Sequence, residues 1–306
     1  MKTVPELAEL RRLPLAELMR RALAAKLARR GPSFSFCSII NAKSGQCSED
    51  CRFCVQSAHY RTDAPVYPLK ETAEIVAAAA AAKEAGASRF SLVTSGRGLP
   101  TREIGRVAES IAAVRSQLGI AVCGSFGILD RAALAELKAA GMSRYHHNLE
   151  SSREFFPQIA TTHTFADRVA TIEAAQAVGL EVCVGGIFGL GESEDDRISM
   201  ALSIRELGVD SVPLNILVPL PGTPLAATPP LATADILKAI ALYRLLLPAV
   251  SIRLAAGRES ALADFLSAAF MAGADGMMIG GYLTQRGRSP AADRQFAAEM
   301  IRLWSN

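Results

Sequence analysis

From residue 34 onward, eight short apolar runs alternate with alanine-rich helical stretches, and most of those stretches end at a glycine. The runs fall at 34–41, 89–94, 120–124, 144–149, 181–186, 211–217, 251–255 and 276–279, and the helical stretches near 71–85, 101–117, 130–140, 164–178, 194–207, 233–247 and 259–272. Such spacing leaves a helix in each crossover, which makes successive strands parallel. Gly86, Gly119, Gly141, Gly179, Gly208 and Gly273 stand just past helix ends, where a left-handed cap is wanted. Eight such units predict an α/β fold of the (β/α)8 TIM-barrel type in preference to a doubly wound sheet. An open barrel of six or seven strands is the alternative.

The chain has 306 residues, half of them hydrophobic, and a net charge of +3. That excludes disorder and gives no nucleic-acid signature. Residues 5–30 read as helical, with Leu7, Leu10, Leu18 and Leu27 among arginines. The paired arginines 11–12, 20–21 and 29–30 are read as a solvated face, because acids are interspersed and no aromatics interleave. We divide the chain into a helical segment, 1–32, and a barrel, 33–306, closed by a helix at 290–304 that carries Phe296, Met300 and Leu303. The longest uncharged stretch, 211–234, holds six prolines, so no membrane helix is expected. Glu6 and Glu9 argue against a leader peptide. Six cysteines are too few for a disulfide scaffold in so long a chain. The expectation is a soluble cytoplasmic protein with free thiols.

Three of those thiols are crowded into Cys47-Ser48-Glu49-Asp50-Cys51-Arg52-Phe53-Cys54. Structural zinc sites take four protein ligands, and no fourth is evident nearby, although His59 leaves a zinc-stabilised binding protein open. Thiolates are the normal ligands of iron–sulfur clusters. Three of them on four irons leave one iron open to chelation by an amine and a carboxylate. The run Tyr145-His146-His147-Asn148-Leu149-Glu150 is too polar for a packed barrel interior and suggests a polar site at the strand ends.

The C-x3-C-x2-C loop, with Phe53 before its last cysteine and a strand before it, resembles that of the radical S-adenosylmethionine superfamily. Within it, roughly residues 33–290 resemble the biotin synthases. The resemblance rests on the 44–51 and 145–150 segments, on Val182-Cys183-Val184-Gly185-Gly186-Ile187-Phe188-Gly189-Leu190-Gly191-Glu192, on the 212–218 segment and on Ile252-Arg253-Leu254-Ala255-Ala256-Gly257-Arg258-Glu259. Another radical barrel enzyme, such as a hydrogenase-cofactor maturase, is the second reading.

The resemblance implies a sulfurtransferase that converts dethiobiotin to biotin. Its cofactors would be a [4Fe-4S] cluster, S-adenosylmethionine and a sacrificial auxiliary iron–sulfur cluster. It further implies an external electron donor such as flavodoxin or ferredoxin, and a homodimer. Cys47, Cys51 and Cys54 would hold the radical-generating cluster. Phe53, Thr94, Ser95, Gly96, Arg168, Gly186 and Ile187 would contact S-adenosylmethionine, with Arg168 on its carboxylate. Gly185 and Gly191 belong to the same adenine segment. Asn148, Glu150 and Asn215 would contact dethiobiotin or the ribose. Glu150 stands where the family usually has aspartate. The shared parity of Asn148 and Glu150 on one strand points both inward.

The auxiliary cluster implied by the resemblance is held by three cysteines and an arginine. Cys123, Cys183 and Arg253 match three of these ligands, but Ser91 stands where the third cysteine belongs. Cys37, on the first strand, can replace it. Cys37, Cys123 and Cys183 lie on strands one, three and five, and alternate strands share an interior layer. The expectation is a cluster of altered shape, with four irons and an expendable extra sulfur in place of two irons. A buried Arg253 paired with Glu150 is the alternative role for that arginine.

Overall fold

The structure is a computed structural model that describes residues 4–281 and 287–306. Two helices, α1 (Val4–Arg12) and α2 (Leu15–Arg30), precede the barrel. The single helix expected over 5–30 is thus split, because Pro14 has no N–H to continue the hydrogen-bond ladder and instead stands at the start of α2. The basic face is largely ion-paired: Arg11 with Glu194 and Asp195, Arg20 and Arg21 with Glu17, and Arg30 with Asp275.

The strands are β1 (Ser35–Lys43), β2 (Arg89–Thr94), β3 (Ala121–Ser125), β4 (Met142–His146), β5 (Glu181–Cys183), β6 (Gly186–Phe188), β7 (Ser211–Ile216), β8 (Ser251–Leu254) and β9 (Gly276–Met278). All pair in parallel in the order β5-β4-β3-β2-β1-β9-β8-β7-β6, and β5 also pairs with β7, which closes the sheet. β5 and β6 are two halves of one interrupted strand, so the closed barrel has eight staves. The outer layer is α3 (Thr72–Glu84), α4 (Thr101–Leu118), α5 (Arg131–Ala139), α6 (Phe165–Ala177), α7 (Glu194–Leu207) and α8 (Thr233–Leu246). Gly119 and Gly208 end α4 and α7 at left-handed φ of 66° and 64°, the conformation a side chain disfavours.

Local boundaries differ from the sequence pattern for identifiable reasons. The strand expected over 144–149 ends at His146, because Asn148 turns its side chain into the gap between β5 and β6, where its Oδ1 accepts from Gly185 N at 3.2 Å. The same gap interrupts the strand expected over 181–186. The helix expected over 259–272 is broken into α9 (Arg258–Leu262), a 3-10 turn (Ala263–Phe265) and α10 (Leu266–Met271), with Ala263 at φ 41°. The closing helix is α11 (Pro290–Ser305), which buries Ala297, Met300 and Trp304, whereas Leu303 is 62% exposed. Met300 is buried as the apolar pattern marks, while Ala297 and Trp304 are buried in place of Phe296 and Leu303.

The N-terminal ends of the strands are sealed for stability. Phe34 stacks on Phe270 and Trp304, with ring centroids 4.8 and 5.9 Å apart. Lys26, fully buried on α2, lies 3.1 Å over the Trp304 ring and donates to Gly31 O at 2.7 Å. Asp275, just before β9, takes Arg244 at 3.2 Å and Arg30 at 2.8 Å. Paired and hydrogen-bonded in this way, these buried charges are tolerated. The opposite, C-terminal face is left to the loops, as in barrels generally.

Candidate active site

Three communicating cavities run from that face into the barrel. The outer one encloses about 930 Å3 with its open mouth, a side cavity about 740 Å3, and an inner one about 710 Å3. Phe53, Cys54, Asn148 and Glu150 line both the outer and side cavities, Asn215 the side and inner, and Val93, Ser125 and His146 the outer and inner.

Cys47, Cys51, Cys54, Thr94, Ser95, Gly96 and Arg168 line the outer cavity. The thiol loop follows β1 and is held by local hydrogen bonds: Cys54 N donates to Cys51 O at 2.9 Å and Ala58 N to Cys47 O at 2.8 Å. It is also tied to the turn before α6. Asp50 accepts from Thr161 N at 2.8 Å and Thr162 N at 3.2 Å, and Glu49 accepts from Thr162 Oγ1 at 2.9 Å. Ser95 Oγ donates to Gly45 O at 2.7 Å, which joins the end of β2 to the same loop. Burial pushes the Cys51 and Cys54 thiols up to about 12 and about 11, so metal must displace their protons.

The donor chemistry of this cavity fits an iron–sulfur cluster: three sulfurs, with His59 turned away to Ser48 O at 2.9 Å. His147 lines the same cavity, and its buried Nε2 has no protein partner. A group bound there has a nitrogen to satisfy.

Arg168, on α6, donates to Asn148 O at 2.9 Å and stands 3.7 Å from Glu150. Asn148 Nδ2 donates to Glu150 Oε2 at 3.2 Å. Glu150 lies beyond β4 at φ 67°, so strand parity is not what brings Asn148 and Glu150 together. Ile187 N holds Glu150 O at 2.9 Å instead. Burial raises the Glu150 carboxyl, opposed by Arg168 and His146. Ile187 lines the side cavity, and Asn215 bridges strands by donating to Gly186 O at 3.2 Å and accepting from Ala256 N at 3.1 Å. A Cβ at Gly186 would lie 2.6 Å from Glu150 O, and one at Gly185 would lie 1.8 Å from Pro213 O. The backbone here passes where a side chain has no room.

The inner cavity gathers Cys37, Cys123, Cys183, Arg253 and Ser91. All six cysteines are free thiols. Arg253 donates to Ser251 Oγ at 3.3 Å and does not pair with Glu150. Burial pulls the Arg253 guanidinium down, but the Cys37 and Cys183 sulfurs outweigh it and its pKa is raised. Burial also pushes the Cys123 thiol up, against Arg144 and Arg89. Those two arginines and His146 line the cavity and went unassigned in the sequence. Their signal was parity, since Arg89 alternates with Ser91, and Arg144 with His146. His163 and Glu49, behind Arg168, were also passed over.

Comparison with known proteins agrees with this architecture. Residues 43–204 match the radical SAM superfamily, and 213–300 the biotin and thiamin synthesis associated domain. The biotin synthase of Heliobacterium modesticaldum is 53% identical over 264 residues, which cover 86% of this chain and 81% of that protein. That of Pelotomaculum thermopropionicum is 48% identical, covering 94% and 89%. A crystal structure of methylornithine synthase superposes with a TM-score of 0.83 at 21% identity over 97% of this chain and 92% of its own, which speaks for the fold alone. Two relatives of this identity that carry the same name do not favour the maturase alternative. The chain therefore belongs to the biotin synthase family of the radical SAM superfamily.

Proposed function

We propose that this enzyme inserts sulfur into dethiobiotin, with Cys47, Cys51 and Cys54 holding a [4Fe-4S] cluster and Cys37, Cys123, Cys183 and Arg253 holding the auxiliary cluster. The observation that carries this reading is the presence of two thiol triads on communicating cavities of one barrel. Bound there, the clusters and S-adenosylmethionine supply reductive sulfonium cleavage, hydrogen abstraction and the sulfur atom. The chain's own part is placement. Arg168 offers a guanidinium fork to the methionine carboxylate, and Thr94, Ser95 and Gly96 close β2 beside the amine. Phe53 and Ile187, which line the side cavity, offer apolar contact to the adenine, and Gly186 precedes Ile187 on β6. Asn148, Glu150 and Asn215 present hydrogen-bonding groups where the outer, side and inner cavities meet, which suits a substrate that must reach both metal sites.

The auxiliary site takes four irons with an extra sulfide in this reading. Ser91 pairs in register with Ile39 on one side and Cys123 on the other, whereas Cys37 pairs with Arg89. The third thiol is thus one strand over and nearer the N-terminal end than a thiol at 91 would be, and a cluster bridging the triad has a different footprint. Mössbauer spectroscopy with iron and sulfide analysis tests this, and a clean two-iron inner site overturns it.

No helix among the described residues is long and apolar enough to cross a membrane. A cytoplasmic setting, a flavodoxin or ferredoxin as electron donor and a homodimer complete the proposal, the last checked by native mass. The activity test is direct. Anaerobic, reduced enzyme given dethiobiotin and S-adenosylmethionine is expected to form biotin. Sulfonium cleavage without biotin, from protein carrying both clusters, overturns the assignment.

A further inference from the structure

Around the inner cavity, thiols and guanidiniums alternate from strand to strand. Cys37 stands on β1, Arg89 on β2, Cys123 on β3, Arg144 on β4 and Cys183 on β5, with Arg253 on β8, and all six line the cavity. The register is close: Cys37 pairs with Arg89, and Cys123 with Arg144. Counting β5 and β6 as one stave, the thiols and Arg253 occupy the odd staves, and Arg89 and Arg144 the even ones, in keeping with the layered interior of such barrels.

Glu181, at the start of β5, holds the two even-stave arginines. Its Oε2 takes Arg89 Nη2 at 2.8 Å, and Arg144 Nε and Nη2 at 2.9 and 2.8 Å. Arg89 is steadied further by Ser143 Oγ at 3.1 Å. Three guanidiniums line the cavity; the Glu181 carboxylate that pairs with Arg89 and Arg144 is 42% exposed, the Arg144 side chain is 9% exposed, and Arg253 donates to Ser251 Oγ instead. A low-dielectric cavity with uncompensated positive charge calls for an anionic occupant.

We propose that Arg89 and Arg144, pinned by Glu181, are positioning residues whose positive charge retains an anionic iron–sulfur cluster on the Cys37, Cys123 and Cys183 triad and sets its potential. This rests on the auxiliary-site reading above and adds two residues beyond Arg253. Removing a positive charge from that layer weakens retention and makes the cluster harder to reduce. Removing the Glu181 charge does the reverse.

The test is the anaerobically loaded full-length enzyme, read by the midpoint potential of the inner cluster and by the rate at which a chelator strips its iron. Arg144→Gln is expected to lower the potential and speed stripping about tenfold, the scale of losing a group that supports metal ligands. Glu181→Gln is expected to raise the potential and slow stripping, and Arg144→Lys to remain near the wild type. A purely structural role breaks the same hydrogen bonds in both Gln variants and moves them in the same direction. That result, or no movement in either, overturns the proposal. Arg89→Gln carries the same prediction and serves if Arg144→Gln does not fold. A wild-type enzyme that binds only one cluster instead overturns the underlying site assignment, which keeps the two failures distinct.

Discussion

Arg168 turns Nε and Nη2 toward Nε2 of His163, at 3.2 and 2.9 Å. A guanidinium only donates, so that imidazole nitrogen must be the unprotonated one. The proton then sits on Nδ1 of a neutral imidazole, 2.6 Å from Glu49 Oε2 in a close contact without well-aligned hydrogen-bond geometry. Glu49 belongs to the thiol loop, so one chain of side chains runs from Cys47-Ser48-Glu49 to the residue offered to the S-adenosylmethionine carboxylate. His163→Ala is expected to weaken S-adenosylmethionine binding about 10- to 100-fold, the worth of about one hydrogen bond to a charged group. His163→Gln, whose carbonyl still accepts, recovers most of it. Equilibrium binding to the anaerobic enzyme checks this, with both clusters counted in each variant.

The two thiol sets predict two different failures. Cys54→Ala is expected to cut sulfonium cleavage by more than about 100-fold, since even supporting groups around a metal are worth 10–100-fold in affinity. Cys37→Ala is expected to spare cleavage and lose biotin formation. Measuring 5′-deoxyadenosine and biotin in one reaction separates them, and normal biotin from Cys37→Ala contradicts the inner-site assignment.

Gly185 is a packing constraint. A methyl there meets Pro213 O at 1.8 Å, inside a closed sheet. Gly185→Ala is expected to cost about 2–3 kcal/mol or more, as overpacking does. Gly105→Ala in α4, where nothing stands within 4 Å of the added carbon, is expected to gain about 0.5–1 kcal/mol from the helix-propensity difference. Thermal melts of both variants in the cluster-free state give the comparison.

Lys26 provides a pH dependence. Burial lowers its pKa from 10.5 to about 8, opposed by Asp275. The unfolded chain therefore binds more protons than the folded chain between about pH 8 and 10.5, and stability from this group rises with pH across that window. Relative to Lys26→Met, the wild type should gain about 2–3 kcal/mol over it. Denaturant midpoints of the two at pH 7.5 and 10 measure the difference, and a constant gap contradicts it.

The barrel was legible because strand and helix periods repeat with glycine punctuation. β2 and α7 fall on the residues the pattern marks, 89–94 and 194–207. What escaped was set by tertiary contacts. The end of β4 depends on the Asn148 side chain bonding Gly185 N, a residue 37 positions away. The buried stripe of α11 depends on where Lys26 meets Trp304. In the site, cysteines stand out by rarity, and the 37/123/183 set was found by counting them. Arg89, Arg144 and Glu181 are common residue types, and only barrel closure brings them around one cavity.

The central claim is that the sulfur of the product comes from the inner metal centre. Enzyme loaded with 34S-sulfide, freed of excess and supplied with unlabelled sulfide and cysteine in solution, is run for one turnover. The account predicts biotin two mass units heavier, with loss of the inner-centre Mössbauer signal and retention of the outer one. Unlabelled biotin, or an inner signal that survives turnover intact, contradicts it.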